Sequence, residues 1–132
     1  MRALTLTELD GLRSVPGRAA LLYLTDRCPV GCAHCSVDSR LDSPTIVDRA
    51  AFRSIVTDLA AIDGLVVVGI SGGEPFVERG ALIEAVSLLA DAGKLVVPYT
   101  FSKPRLAVAA LSHLSDLDLE RFILQPSTAQ HR

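Results

Sequence analysis

Tryptophan is absent from this sequence, aromatic residues are few, and the charged residues form no block of one sign. The 13 lysines and arginines are scattered among 15 acidic residues, which leaves a formal net charge of −2. Such a chain lacks the basic face that attracts nucleic acid or an anionic membrane surface. We therefore expect neither nucleic acid nor a membrane among its partners.

Long apolar runs are also missing. Stretches such as residues 65–70 (LVVVGI) have the length of a strand, whereas a membrane-spanning helix needs about 20 apolar residues. Residues 1–18 carry charges throughout, and a secretory signal would need an uninterrupted apolar core there. The chain has only three cysteines, clustered too closely for a disulfide framework. Together these features predict a cytoplasmic protein with reduced thiols.

Strand-like and helix-like segments alternate along the 132 residues, a length that suits one domain. The mean hydropathy of +0.38 is typical of a chain with buried parallel strands. Strands are predicted at residues 19–25, 65–70, 95–101 and 121–125, and helices at residues 42–62, 79–92 and 104–117. Because parallel strands need crossover connections, the alternation indicates βαβ units. The sequence therefore predicts an α/β protein in which about four βα units form a parallel sheet.

Turn and cap residues set the predicted boundaries. Residues 1–18 are polar and broken by glycine and proline, so we expect a lead-in that forms an edge strand or a turn. The domain proper is then expected to span residues 19–132. Ser43 suits the N-cap of the first helix, and Pro44 suits its first helical position. Pro98 lacks an N–H group and is expected to weaken the third strand.

All three cysteines lie in the segment TDRCPVGCAHCSVD, residues 25–38, directly after the first predicted strand. Cys28, Cys32 and Cys35 are separated by three residues and then by two. Thiolates at this spacing in one loop indicate a soft metal centre. In a cluster of four irons, three thiolates hold three irons and leave the fourth open to a ligand that is not protein.

A zinc site is the alternative for the cysteine loop. A structural zinc ion takes four protein ligands, and His34 could supply the fourth. However, His34 and Cys35 are adjacent, and adjacent side chains rarely converge on one tetrahedral ion. His113 and His131 are more distant candidates, and no pattern points to either. A histidine that packs in the loop without binding metal is the plainer interpretation of His34.

A second unusual loop, SGGEP at residues 71–75, follows the second predicted strand. Gly72 and Gly73 allow the backbone to approach a ligand closely. Glu74 provides a carboxylate where an ammonium group could sit, and Pro75 stiffens the exit of the turn. By itself the motif is equally typical of an ordinary strand-to-helix turn. Since consecutive βαβ strands are usually neighbours, both loops should face each other at the carboxyl edge of the sheet, where such folds bind ligands.

The order of these motifs, Cys-x3-Cys-x2-Cys after one strand and Gly-Gly-Glu-Pro after the next, resembles the radical S-adenosylmethionine (radical SAM) superfamily. The resemblance covers residues 19–126 and has its anchors in the two loops. It implies a partial (β/α) barrel, incomplete here at the C-terminus, because that family has six strands and this chain reaches about the fourth. We expect a fragment, a truncated gene product or one half of a split protein, with a possible partner chain that supplies the missing strands.

The resemblance also implies cofactors and their sites. Cys28, Cys32 and Cys35 correspond to the ligands of a 4Fe-4S cluster whose open iron binds S-adenosylmethionine. The GGEP segment, residues 72–75, corresponds to the segment that contacts the methionine amino group, mostly through backbone carbonyls. His34 corresponds to a position whose backbone lies near the adenine. No catalytic side chain is assigned.

The implied activity is reductive cleavage of S-adenosylmethionine to a 5′-deoxyadenosyl radical, which abstracts a hydrogen atom from a substrate. The sequence does not identify this substrate, and peptide maturation, methylation and small-molecule rearrangement stay open. A reductant such as flavodoxin or ferredoxin is implied. The alternatives are a zinc- or iron–sulfur-binding module without this chemistry, and a catalytically inactive remnant. An open strand edge invites pairing, so the isolated chain is expected to be oligomeric or poorly soluble.

Overall fold

A parallel sheet forms the centre of the fold in the computed structural model, which describes residues 6–29, 35, 37–43, 48–100 and 125–126. Its strands are β1 Ala19–Tyr23, β2 Val67–Ser71, β3 Leu95–Thr100 and the two-residue β4 Gln125–Pro126. They lie in the order β1-β2-β3-β4, and every neighbouring pair is parallel. The predicted α/β class with a partial parallel sheet is confirmed.

Among the described residues, three α-helices accompany these strands: α1 Leu6–Ser14, α2 Arg49–Ala60 and α3 Arg79–Asp91. A short 3-10 helix, Pro75–Glu78, leads from the loop after β2 into α3. Helix α3 agrees with the predicted helix 79–92 almost to the residue. The predicted helix 104–117 and residues 121–124 of the predicted fourth strand lie outside the described residues. No helix in the described part of the chain has the length and apolarity that crossing a bilayer requires.

The N-terminal prediction of an edge strand or a turn is wrong, because the described residues there form α1. Of the three residues that suggested a break, Gly11 lies inside this helix, whereas Pro16 and Gly17 lie just after it, where Gly17 adopts a positive φ of 77°. The Arg18 N–H donates to the carbonyl of Val15 at 3.2 Å and closes the turn. Pro16 and Gly17 therefore follow the end of a helix and lead into β1.

The start of α2 also differs from the prediction. Asp48 is its N-cap, and the carboxylate accepts a hydrogen bond from the Ala51 N–H at 3.0 Å. The predicted cap, Ser43, lies in the preceding loop, where its hydroxyl accepts from the Arg40 N–H at 3.1 Å. Pro44 lies outside the described residues. Both residue types suit N-caps, and Ser43 is already engaged in closing the cysteine loop.

Pro98 lies inside β3 and is tolerated there. It stands opposite Ile70 in the register with β2, while the described pairing with β4 begins one residue later, at Tyr99. The strand is continuous through Thr100. The expected weakening is therefore not visible in the described part of β3, which pairs with β2 through Pro98.

The main core lies on one face of the sheet, beneath α2 and α3. Its fully buried members are Val56, Val68, Ile70, Leu82, Val86, Leu89 and Val96. Side chains alternate between the two faces of a strand, so neighbouring strand positions point to the opposite face. There, Val67 and Val97 are buried in a second, smaller cluster.

That second face is otherwise open among the described residues. Leu21 is 65% exposed and Tyr23 47% exposed. A groove of about 410 Å³ runs along it, lined by Ala19, Ala20, Leu21, Val67, Gly69, Ser71 and Tyr99. An added Cβ at Gly69 would come within 2.8 Å of Leu21 Cδ1. The glycine therefore lets Leu21 and its neighbours pack over the floor of the groove.

Charged side chains join the two covering helices at their surface. The Glu84 carboxylate on α3 accepts hydrogen bonds from Arg53 and from Arg49, the latter at 2.8 Å. Hydrogen bonding from Arg53 and then from Arg49 holds the pKa of Glu84 below its usual value. Exposed pairs of this kind contribute little to stability, so the apolar core beneath them carries the packing of α2 on α3.

Replacing Leu82 by alanine should lower the free energy of unfolding by about 3 kcal/mol, because the change leaves a cavity in a fully buried site. Leu88→Ala on the same helix is the control, since Leu88 is 36% exposed and should cost much less. Urea denaturation followed by circular dichroism measures both. Equal losses for the two variants would contradict the assigned position of the core.

Candidate functional site

The cysteine loop and the SGGEP loop lie side by side, as predicted. Tyr23 and Ser71 are partners at the carboxyl ends of β1 and β2. The pairing then continues past both strands: Leu24 N–H donates to the Ser71 carbonyl at 2.8 Å, and Gly73 N–H donates to the Thr25 carbonyl at 2.6 Å. One hydrogen-bond ladder therefore fixes the start of the cysteine loop against the glycines.

Both glycines are required by this contact. Gly72 has a φ of 144°, and an added Cβ would lie 2.5 Å from the Thr25 carbonyl oxygen. An added Cβ at Gly73 would lie 2.3 Å from the Arg27 carbonyl oxygen. These neighbours are backbone atoms and have little room to move. The glycines therefore permit the close approach of two backbones, a role that sequence reasoning assigned to approach by a ligand.

The two ends of the cysteine loop pair with each other and close the base of the loop. Arg27 and Arg40 form an isolated parallel bridge, and the Cys28 N–H donates to the Arg40 carbonyl at 3.0 Å. The Arg27 guanidinium also donates through Nε to the Leu41 carbonyl at 3.2 Å. Cys28 is thereby held in a buried position at the base, as a free thiol.

Cys35 is also a free thiol, and it is partly exposed. The Ser39 N–H donates to its sulfur at 3.4 Å. Backbone donors, Ser39 first and then Val37, hold the pKa of the Cys35 thiol below its usual value. Because the thiolate is the form that binds metal, this turn favours the chemical state that a metal ligand needs.

The described part of the loop thus has a donor set that fits an iron–sulfur cluster. It contributes one buried thiol and one thiol surrounded by N–H donors, both on a loop with a closed base. Cys32 and His34 lie outside the described residues. Their predicted roles, cluster ligand and neighbour of the adenine, stay predictions.

Glu74 is buried, with 3% of its surface exposed, and its carboxylate points into the protein. Oε1 accepts hydrogen bonds from the Phe76 N–H at 3.0 Å and from the Thr100 hydroxyl at 2.7 Å. The first bond caps the 3-10 helix, whose first position is the buried Pro75. The second ties the loop after β2 to the end of β3. A buried carboxylate requires such donors, and the described contacts of Oε1 are therefore structural.

A second carboxylate reinforces the junction between the loops. Thr25 is buried, and its hydroxyl accepts from the Arg27 N–H at 3.1 Å and donates to Glu78 Oε1 at 3.4 Å. Arg27 Nη1 lies 3.9 Å from the same oxygen of Glu78. Sequence reasoning missed Thr25 and Glu78, because no local pattern connects residues that are 53 positions apart.

Comparison with known proteins found relatives that share a name. The chain is 36% identical over 102 residues to the PqqA peptide cyclase of Bradyrhizobium diazoefficiens, an alignment that covers 76% of this chain and 26% of that protein. It is 33% identical over 111 residues to the PqqA peptide cyclase of Methylobacterium sp. strain 4-46, covering 83% and 28%. It is 39% identical over 74 residues to that of Methylocella silvestris, covering 55% and 19%. No family model matches the chain.

The chain therefore spans only about a quarter of the length of these relatives. Their similarity supports membership of the radical SAM superfamily for the segment that they share with this chain. The assignment agrees with the resemblance that the two loop motifs carry, and with the partial parallel sheet on which those motifs lie.

The glycine contact can be tested by Gly73→Ala. The new methyl group would collide with the Arg27 carbonyl, so we expect a loss of about 3 kcal/mol in unfolding free energy. Gly64→Ala is a matched control, because no atom lies within 4 Å of the added Cβ there. Urea denaturation of the metal-free chain measures both. A Gly73→Ala variant as stable as Gly64→Ala would rule out the close contact.

The structural role of Glu74 predicts different effects for two substitutions. Glu74→Ala removes the acceptor of both bonds and should cost about 3 kcal/mol. Glu74→Gln keeps an oxygen that can accept from Phe76 and Thr100, so its cost should be about 1 kcal/mol. Thermal and urea unfolding distinguish the two variants. Equal costs would show that the negative charge, and not the acceptor geometry, is what the site requires.

Proposed function

We propose that this chain is the cluster-binding N-terminal part of a radical SAM enzyme, and that residues 19–132 form its incomplete core domain. The observation that carries the proposal is the hydrogen-bond ladder that runs from Ser71 through Gly73 to Glu74, whose N–H donates to the Arg27 carbonyl at 2.9 Å. This ladder holds the GGEP loop against the first residues of the cysteine loop. Two motifs that are distant in sequence thereby meet at the carboxyl edge of a parallel sheet, where ligands of such folds bind.

The thiolates of Cys28, Cys32 and Cys35 would hold three irons of a 4Fe-4S cluster. When bound, the cluster and S-adenosylmethionine supply reductive cleavage to a 5′-deoxyadenosyl radical that abstracts hydrogen from a substrate. The chain's contribution is to bind and to orient. The buried base of the loop positions Cys28, and the turn at Val37–Ser39 favours the thiolate of Cys35.

The GGEP loop would contribute backbone groups to the amino end of S-adenosylmethionine. In the structure the Glu74 side chain faces Phe76 and Thr100, so we assign the contact to the carbonyls of the loop. Glu74 would then act by holding those carbonyls in place, and Pro75 by starting the 3-10 helix that anchors the loop. The backbone of His34 is assigned to the adenine side, as the resemblance implies.

We further propose that the substrate is a peptide. The support is the name of the relatives, PqqA peptide cyclase, in proteins about four times longer than the matched segment. A flavodoxin or ferredoxin would supply the electron, and a partner chain or segment would supply the remaining strands. We place the protein in the cytoplasm, where the thiols stay reduced.

Anaerobic reconstitution with iron and sulfide tests the cluster. We expect about four irons per chain, as three thiolates on a 4Fe-4S cluster require, no zinc, and an electron paramagnetic resonance spectrum that changes when S-adenosylmethionine is added. Each of Cys28→Ser, Cys32→Ser and Cys35→Ser should lose most of the iron, while Ser54→Ala on the exposed face of α2 should retain it.

His34→Ala separates the cluster from the zinc alternative. A cluster held by three cysteines keeps its iron in this variant, whereas a site of three cysteines and one histidine loses a ligand. Zinc binding that depends on His34 would overturn the proposal in favour of a structural metal site. A cluster whose spectrum ignores S-adenosylmethionine would favour an electron-transfer module or an inactive remnant.

A further inference from the structure

Ser39 is a buried hydroxyl residue in the turn that ends the cysteine loop, with 3% of its surface exposed. Its Oγ has no hydrogen-bond partner. Among the described residues, it is the only buried side-chain oxygen or nitrogen atom without one. Leaving a buried hydroxyl without a partner is costly. The Ser39 hydroxyl is therefore a buried donor that the described residues leave unused, beside the cysteine loop.

Ser39 is placed between two of the predicted cluster ligands. Its own N–H donates to the sulfur of Cys35 at 3.4 Å, and its neighbour Arg40 accepts from the Cys28 N–H at 3.0 Å. Asp38, with a φ of 48°, gives the turn the left-handed residue that bends it around the sulfur. The turn that contains Ser39 is thus hydrogen-bonded through its backbone to both Cys28 and Cys35.

The Cys35 sulfur lies beside Ser39, whose N–H donates to it at 3.4 Å. The Ser39 side chain also acts to lower the pKa of two nearby groups, the Cys35 thiol and the Tyr23 hydroxyl. Tyr23 is 47% exposed, so its hydroxyl can exchange hydrogen bonds with water. A cluster-bound thiolate carries negative charge, and charged acceptors form the stronger bonds. Of the two groups, the cluster-bound sulfur would therefore be the stronger acceptor for a hydrogen bond from the Ser39 hydroxyl.

We propose that the Ser39 hydroxyl donates a hydrogen bond to the cluster-bound Cys35 sulfur and, with the Ser39 N–H, raises the reduction potential of the cluster. This inference rests on the proposed function, since it requires a cluster on the three cysteines. Reduction adds negative charge to the cluster, so a donor to its sulfur stabilises the reduced state more than the oxidised state. Ser39 is accordingly a positioning residue and does not bind iron.

The test is a redox titration of the reconstituted chain, followed by electron paramagnetic resonance without S-adenosylmethionine or substrate. At a fixed potential, Ser39→Ala should lower the ratio of reduced to oxidised cluster by about three- to tenfold, where tenfold corresponds to ~59 mV for one electron. Ser39→Thr keeps the hydroxyl and should restore the ratio. Ser54→Ala, which removes an exposed hydroxyl on α2, is the matched control and should leave it unchanged.

The outcomes separate this inference from the function on which it rests. If the wild-type chain binds no cluster, both the proposed function and the role of Ser39 are refuted. If the wild type, Ser39→Ala and Ser54→Ala all bind a cluster of the same reduction potential, only the proposed role of Ser39 is refuted. If the ratio of reduced to oxidised cluster falls in both Ser39→Ala and Ser39→Thr, the effect comes from altered packing. If Ser39→Ala loses iron, Ser39 is needed for assembly of the loop. Either result overturns the proposal that the hydroxyl raises the reduction potential.

Discussion

The hydrogen bond from the Gly73 N–H to the Thr25 carbonyl, 2.6 Å long, is the contact on which the rest of the site depends. It prolongs the pairing of β1 and β2 beyond the strands, into the first residues of both loops. The contact exists only because residues 72 and 73 lack a Cβ, as the distances to the Thr25 and Arg27 carbonyls show. The neighbouring bond from the Glu74 N–H to the Arg27 carbonyl, at 2.9 Å, continues the same pairing.

Two buried or half-buried carboxylates then convert this contact into a three-strand junction. Glu74 reaches the Thr100 hydroxyl at the end of β3, and Glu78 accepts from Thr25 at the end of β1. Because a carboxylate in such a place needs donors, each is stable only when the neighbouring strand end is correctly placed. Glu74 and Glu78 therefore stabilise the carboxyl edge of the sheet. Because the described bonds of Glu74 are made to the protein, contact with a ligand is assigned to the backbone of the loop.

The parts of the fold that were predictable from sequence are those specified by local pattern. The β-branched run before Ser71 predicts β2, and the spacing of Leu82, Val86 and Leu89 predicts α3, because burial of one face dictates both patterns. Adjacency of the two loops also followed, from the rule that consecutive βαβ strands pair.

The remaining features were set by contacts that no local pattern reveals. Asp48 and Ser43 are both good caps, and the choice between them depends on the loop-closing bond to Arg40. The inward direction of Glu74 depends on Thr100, which is 26 residues away. Ser39 follows the cysteines as one more polar residue, and only its burial distinguishes it from Asp38 and Arg40. Sequence thus located the site, while tertiary contacts decided which side chains serve it and which support it.

Stability and chemistry are divided between the two faces of the sheet. The face beneath α2 and α3 contains the large buried side chains, and it fixes the strands whose carboxyl ends carry both loops. The opposite face has small residues such as Ala19 and Gly69 at its floor and exposed Leu21 above it, so it buries little apolar surface among the described residues. Stabilisation by burial scales with that surface. Changes at the exposed positions of this face, such as Leu21, should therefore be tolerated by the fold far better than changes beneath the helices.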